Sequence, residues 1–200
     1  MTRAETVQLP FLGTRNYLQG TTLFSALWKH VPGGNAQFSF KASRFIRSDV
    51  IKVEICDEPV QPSESWDATL KWKNAGRSGV IAAIALSPTG APTREEYAEE
   101  SVIGLAEFSK AGAKLDAPSP FNFVSTIVSL NKAFLLRYEY EDPTAQWIFT
   151  RLDMGSIPGS TAGLVIDAFV FGPGRKTCRS SIDYKGEKLG HLYFACVDRH

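Results

Sequence analysis

Long apolar runs are missing from this chain. No stretch approaches the roughly 20 consecutive apolar residues that a bilayer-spanning helix needs, so no membrane partner is expected. The opening residues Met1-Thr2-Arg3-Ala4-Glu5 have neither the apolar core nor the small-residue cleavage site of a signal peptide. Cysteine is scarce: Cys56, Cys178 and Cys196 are odd in number and show no CxxC spacing. That pattern suggests neither a disulfide framework nor a zinc site and reads as free thiols in a reducing compartment, the cytoplasm. Charge of one sign is also absent, with a net charge of +1 and Lys and Arg scattered among acids. A nucleic-acid partner would require basic residues gathered on one face, so none is expected. The GxxxxGK[ST] spacing of a phosphate loop and the GxSxG turn of serine hydrolases do not occur, and no cofactor is expected.

What is present is ordered and repeated. In Thr21 to Val31, apolar Leu23, Phe24, Leu27, Trp28 and Val31 follow helical spacing, and Pro32-Gly33-Gly34 stops the helix. Alternation then predicts strands over 37–45, 49–55, 66–72 and 79–86, with a hairpin turn at Asn74 to Arg77. Ser87 to Pro92 is turn-rich and marks a boundary, dividing the chain into units 1–92 and 93–200. Thr93-Arg94-Glu95-Glu96 has the form of a capping box and predicts a connecting helix to about Lys110. A long apolar helix follows from Phe121 to about Arg137, then strands over 146–152, 163–171, 177–184 and 190–197. Helix followed by antiparallel strands, twice, is the order of an α+β duplication, in tandem.

One helix wrapped by an antiparallel sheet, present twice, resembles the double hot-dog proteins. The stretch LPFLGTRNYLQGTTLFSAL (9–27) is similar to the segment of β-hydroxyacyl thioester dehydratases in which a glycine loop leads into the central helix. Gly13 and Gly20 stand in for the two glycines. RSDVIKVEI (47–55) resembles the strand that opens on a turn Asp, and the closing GRKTCRSSIDYKGEKLGHLYFACVDR, with its final Arg199, resembles the last strands of double hot-dog acyl-CoA thioesterases. The resemblance implies two antiparallel sheets, each wrapped around a long central helix, and the two units packed through their sheets. It also implies acyl-CoA or acyl carrier protein thioesters as partners, and leaves a homo-oligomer open. The catalytic positions depart from the pattern. The dehydratase histidine falls near Pro10 or Phe11, its helix carboxylate at Ser25, and the thioesterase glutamine near Phe194.

The candidate residues therefore rest on chemistry. A helix N-terminus offers unpaired N–H groups and partial positive charge to a thioester carbonyl. Gly20, Thr21 and Thr22 occupy that position in the first helix, with Ser25 one turn on; the alternative reading is a simple cap for a core helix. Asn122 and Ser125 do the same in the second helix, where Ser125 and Ser129 share a face that could line a pocket or form a polar seam. His30 reads as a cation for its helix C-terminus and His200 ends the chain, which leaves His191 as the histidine to test as a base. Arg151 and Asp153 alternate with apolar neighbours, as a structural ion pair or as a carboxylate base or water-orienting group near a helix N-terminus. Arg175 and Lys176, in a hairpin turn, could meet the phosphates of a pantetheine carrier. The function expected is acyl-thioester recognition, with dehydration or hydrolysis as its chemistry. The alternative is a non-catalytic hot-dog protein that binds a small apolar ligand or serves as a structural subunit.

Overall fold

A computed structural model of the chain describes residues 2–88, 90–138, 145–167 and 169–198, so Arg199 and His200 lie outside the described residues. The chain divides into two compact units, Met1–Tyr97 and Ala98–His200.

The first unit contains β1 (Thr2–Gln8), β2 (Phe11–Leu12), α1 (Gly20–Trp28), β3 (Gln37–Ala42), β4 (Val50–Cys56), β5 (Ala68–Asn74), β6 (Arg77–Ala85) and β7 (Arg94–Glu95). Its main sheet runs β1-β4-β6-β5-β3 and is antiparallel throughout. Alternation in β3 and β5 buries Phe38 and Phe40 beside Leu70 and Trp72 on one face. The β5–β6 hairpin closes through Ala75 and Gly76, whose φ values of 46° and 78° are those of a type I′ turn. α1 lays Leu23, Phe24 and Leu27 onto β5 and β6, and Phe24 meets Phe38 and Phe40 at ring separations of 5.3 and 5.6 Å. The expected long central helix is corrected here. α1 has nine residues, about 14 Å, because the helix ends ahead of Pro32-Gly33-Gly34. β1 is a strand without an apolar pattern, and hydrogen bonding to β4 makes it one.

The second unit contains α2 (Glu99–Ile103), β8 (Glu107–Ser109), β9 (Gly112–Leu115), α3 (Phe123–Tyr138), β10 (Ala145–Met154), β11 (Leu164–Asp167), β12 (Val170–Phe171), β13 (Thr177–Tyr184) and β14 (Glu187–Asp198). The antiparallel order is β10-β14-β13-β11-β9-β8, with β12 on β13. Ile127, Leu130, Phe134 and Leu135 of α3 are buried, and α3 packs on β9 and β11. Two expectations are corrected. Arg94 and Glu95 pair as a strand with Phe11 and Leu12, so Thr93 and Glu96 form no capping box. The connecting helix is the five-residue α2, and residues to Leu115 continue as β8 and β9. Among the described residues no helix is long and apolar enough to cross a membrane.

Candidate functional site

The start of α1 has the properties that carbonyl recognition requires. Its N-cap residue, Gln19, is extended (φ −69°, ψ 148°), makes no side-chain cap bond to a first-turn N–H, and that turn holds no acid. The N–H groups there carry partial positive charge that no capping side chain consumes. Gln19 is drawn elsewhere: with its oxygen turned to Arg15 it accepts from Nε at 2.8 Å. The same amide lies 3.4 Å from Thr21 Oγ1. Thr21 is buried, while Gly20, Thr22 and Ser25 are half-buried, and Ser25 stands one turn along the same side.

The loop entering α1 is held from a distance. Phe11 and Gly13 donate their N–H groups to the Thr93 and Glu95 carbonyls at 2.9 and 2.8 Å. Arg94 Nη1 donates to the carbonyls of Gly13 (3.0 Å) and Arg15 (2.7 Å), and its guanidinium lies over the Phe11 ring. Gly13 has φ +61°, which a side chain would resist. Leu18 N–H donates to Ile46 O at 2.8 Å. Arg94 escapes sequence reasoning because it acts on a segment its own neighbours do not announce. No local signal marks a guanidinium that binds carbonyls 79 and 81 positions away. His30 does not cap α1, which ends at Trp28; its Nε2 lies 3.2 Å from Glu5 Oε1.

The start of α3 is occupied by its own residues. Asn122 Oδ1 accepts from the Ser125 N–H at 2.9 Å, an N-cap bond. Thr126 Oγ1 donates to Ser119 Oγ (2.8 Å) and also lies 2.9 Å from the Asn122 carbonyl. Ser119 N–H donates to Thr161 Oγ1 at 2.6 Å. Ser125, Thr126 and Ser129 are buried. Asn131, two positions on, is fully buried, and neither amide atom has a partner among the described residues. Nothing in the structure explains that orphan.

Arg151, Asp153 and His191 gather on one face of the second sheet. Arg151 grips Asp153 through Nη2–Oδ2 (2.7 Å) and Nε–Oδ1 (3.1 Å), and its guanidinium lies over the Tyr193 ring. The hydrogen bond to Asp153 pushes the Arg151 guanidinium up. Asp153 is directly opposite His191, which is opposite Ser181 on β13, so the three side chains form a row. Their neighbours Leu152, Leu192 and Ser180 point to the other face, with Ile182, Ile166 and Leu164. That second face is the buried one that carries α3, so His191 and Asp153 are separated from the α3 N-terminus by the sheet. On the row's own face, burial, then a hydrogen bond shared with Asp183 and the charge of Asp183, push the Asp167 carboxyl up. Arg175 lies over the Phe171 ring, 4.4 Å from its centre.

Burial, then the charges of Lys188 and Arg179, push the His191 imidazole below its ordinary 6.5. The unfolded chain therefore takes up a proton that the folded chain refuses, and stability falls as pH drops below about 6.5. His191→Gln should flatten this acid limb, read as urea midpoint against pH.

No protein-family model matches the chain, and no curated protein matches it. Solved structures do. The dehydratase domain from the CurJ module of curacin polyketide synthase superposes with a TM-score of 0.50 at 8% identity, over 98% of this chain and 92% of that one. The chain has the double hot-dog fold. A thioesterase II candidate from Thermobifida fusca gives a TM-score of 0.49 at 11% identity, over 97% and 92%. A conserved hot-dog protein of unknown function from Alicyclobacillus acidocaldarius gives 0.48 at 12%, over 100% and 93%. Among the described residues α1 begins without a side-chain cap bond or a first-turn acid, whereas α3 is capped by Asn122.

Proposed function

We propose that the protein recognises an acyl thioester, carried by CoA or acyl carrier protein in the cytoplasm, with the thioester carbonyl seated on the first turn of α1. The observation that carries this reading is the uncapped start of α1, held open because Gln19 turns to Arg15 and Arg94 anchors the loop before it. Oriented N–H groups in a partly desolvated site polarise a carbonyl and stabilise an oxyanion or enolate. Thr21 and Thr22 supply hydroxyls beside it and Arg15 supplies a cation. Dehydratase and thioesterase among the structures of like fold make the acyl thioester the natural ligand class.

Turnover needs a proton acceptor within hydrogen-bond reach of the same carbon. Ser25 is the polar side chain α1 offers there, and a hydroxyl alone is a poor base. Asp153 is committed to Arg151, and it and His191 lie on the face of their sheet away from α3. These observations favour the second reading, a non-catalytic hot-dog protein that binds its acyl ligand without transforming it.

Thermal stabilisation across a panel of acyl-CoAs, beside hydrolysis and hydration assays, tests both readings. Gly20→Val should abolish stabilisation, since its side chain would stand over the first-turn N–H groups, while Thr22→Ser leaves stabilisation intact. Unchanged melting of the unliganded variants separates a lost site from a lost fold. Wild type that shows neither stabilisation nor turnover with any acyl thioester overturns the proposal.

A further inference from the structure

The sheet side of α1's first turn is bounded by one aromatic side chain. Gly20, Phe24 and Trp28 stand four residues apart and share a stripe of the helix. Helical side chains lean back toward the N-terminus and cover the turn ahead of their own Cα. The Phe24 ring therefore covers the turn that begins at Gly20, where glycine contributes no side chain of its own. Phe24 is 2% exposed. Its ring centre lies 5.3 Å from that of Phe38, 5.6 Å from Phe40 and 5.5 Å from Trp28, and Trp28 meets Phe38 at 4.8 Å. Phe38 and Phe40 are held on β3 opposite Trp72 and Leu70 of β5, all four buried. Rings interlocked in this way yield little to an extra methylene.

The other flank of the same turn is unsuited to an alkyl chain. Thr22 and Ser25 present half-buried hydroxyls there, and exposed Lys29 follows on the same stripe. Covering hydroxyls with hydrocarbon, without a hydrogen bond in return, is unfavourable. A thioester seated on the first-turn N–H groups thus has an aromatic wall on one flank and a polar stripe on the other.

We infer that Phe24, backed by Phe38 and Phe40, sets acyl-chain length, and that the ligand carries a short acyl group of the acetyl-to-butyryl class. The inference rests on the acyl-thioester reading of α1 and narrows it. Phe24 acts by exclusion and takes no part in proton transfer.

Calorimetric titration with acetyl-, butyryl-, hexanoyl- and decanoyl-CoA tests this. Acetyl- or butyryl-CoA should bind wild type tightest. Hexanoyl-CoA should bind about tenfold or more weaker, since one methylene in a fitted apolar site already carries about that factor. Phe24→Ala should reverse this order, because the space left among Phe38, Phe40 and Trp28 then accepts the longer chain. Phe24→Leu, the milder change at a core position, should shift the profile in the same direction by less. Melting of the unliganded proteins shows which variants are folded, and if Phe24→Ala is not, wild type and Phe24→Leu decide. Wild type that binds no acyl-CoA overturns the thioester reading and this inference with it. Wild type that binds decanoyl-CoA as tightly as butyryl-CoA, or a Phe24→Leu profile identical to wild type, leaves the thioester reading standing and overturns the chain-length limit.

Discussion

Leu130→Ala should lower the unfolding free energy by about 2–5 kcal/mol, and Leu27→Ala should fall in the same range. Both side chains are fully buried, each on the apolar stripe of the helix that fills its own unit's core. Truncation removes three heavy atoms' worth of apolar burial and leaves a cavity that the surroundings close only in part. Around Leu130 stand Ile127 and Phe134 on the same helical face, themselves pinned against the sheet. Leu27 shares α1 with Phe24, whose ring is locked among Trp28, Phe38 and Phe40. Neither site relaxes cheaply. Losses below roughly half a kcal/mol in chemical denaturation would show that these helices sit at the periphery. Because the chain divides into two units, each variant should be followed with a probe in its own half, Trp72 fluorescence for Leu27 and Trp147 for Leu130.

Gly190→Ala should cost about 1–3 kcal/mol or more, although the change adds one methyl group. Gly190 faces Met154 across the β10–β14 ladder. A Cβ there would overlap the Asp153 carbonyl oxygen and come within 2.9 Å of the Asp153 carbonyl carbon and Met154 Cα. These are backbone atoms of β10 and have no rotamer to escape into. Relief requires the two strands to part beside the Asp153–His191 row, so the same variant should weaken the pairing that places those side chains opposite each other. Gly159→Ala is the control. Its Cβ would meet nothing within 4 Å, and its effect should stay within about half a kcal/mol. Equal melting temperatures for the two variants would refute the steric argument.

The elements legible in the sequence are those whose signal is local. α3 lies one or two residues from its expected bounds, and β13 lies at them, because a 3.6-residue or two-residue apolar period is a property of the segment itself. Gly20-Thr21-Thr22 ahead of an apolar stripe also announced a helix start. The strand expected over 163–171 is divided, since Asp167 ends β11 before Val170 and Phe171 return to β13 as β12. Alternation alone carries no mark of that break.

By itself the sequence determined two helix-and-strand units, their turns, and an antiparallel α+β architecture, since periodicity and turn chemistry act over a few residues. Only the tertiary structure decided the rest. β1 is extended because β4 offers it a hydrogen-bond ladder, and Arg94 forms a strand because a parallel partner at Phe11 outweighs its helix-start pattern. The start of α1 stays uncapped because Arg15, ordered by that same contact, takes the Gln19 oxygen. Asp153 meets His191 rather than a helix because strand register and the bulge between Phe149 and Arg151 assign both to the face away from α3. Each outcome depends on which distant backbone or side chain satisfies a polar group, and that choice is made by the packed chain as a whole.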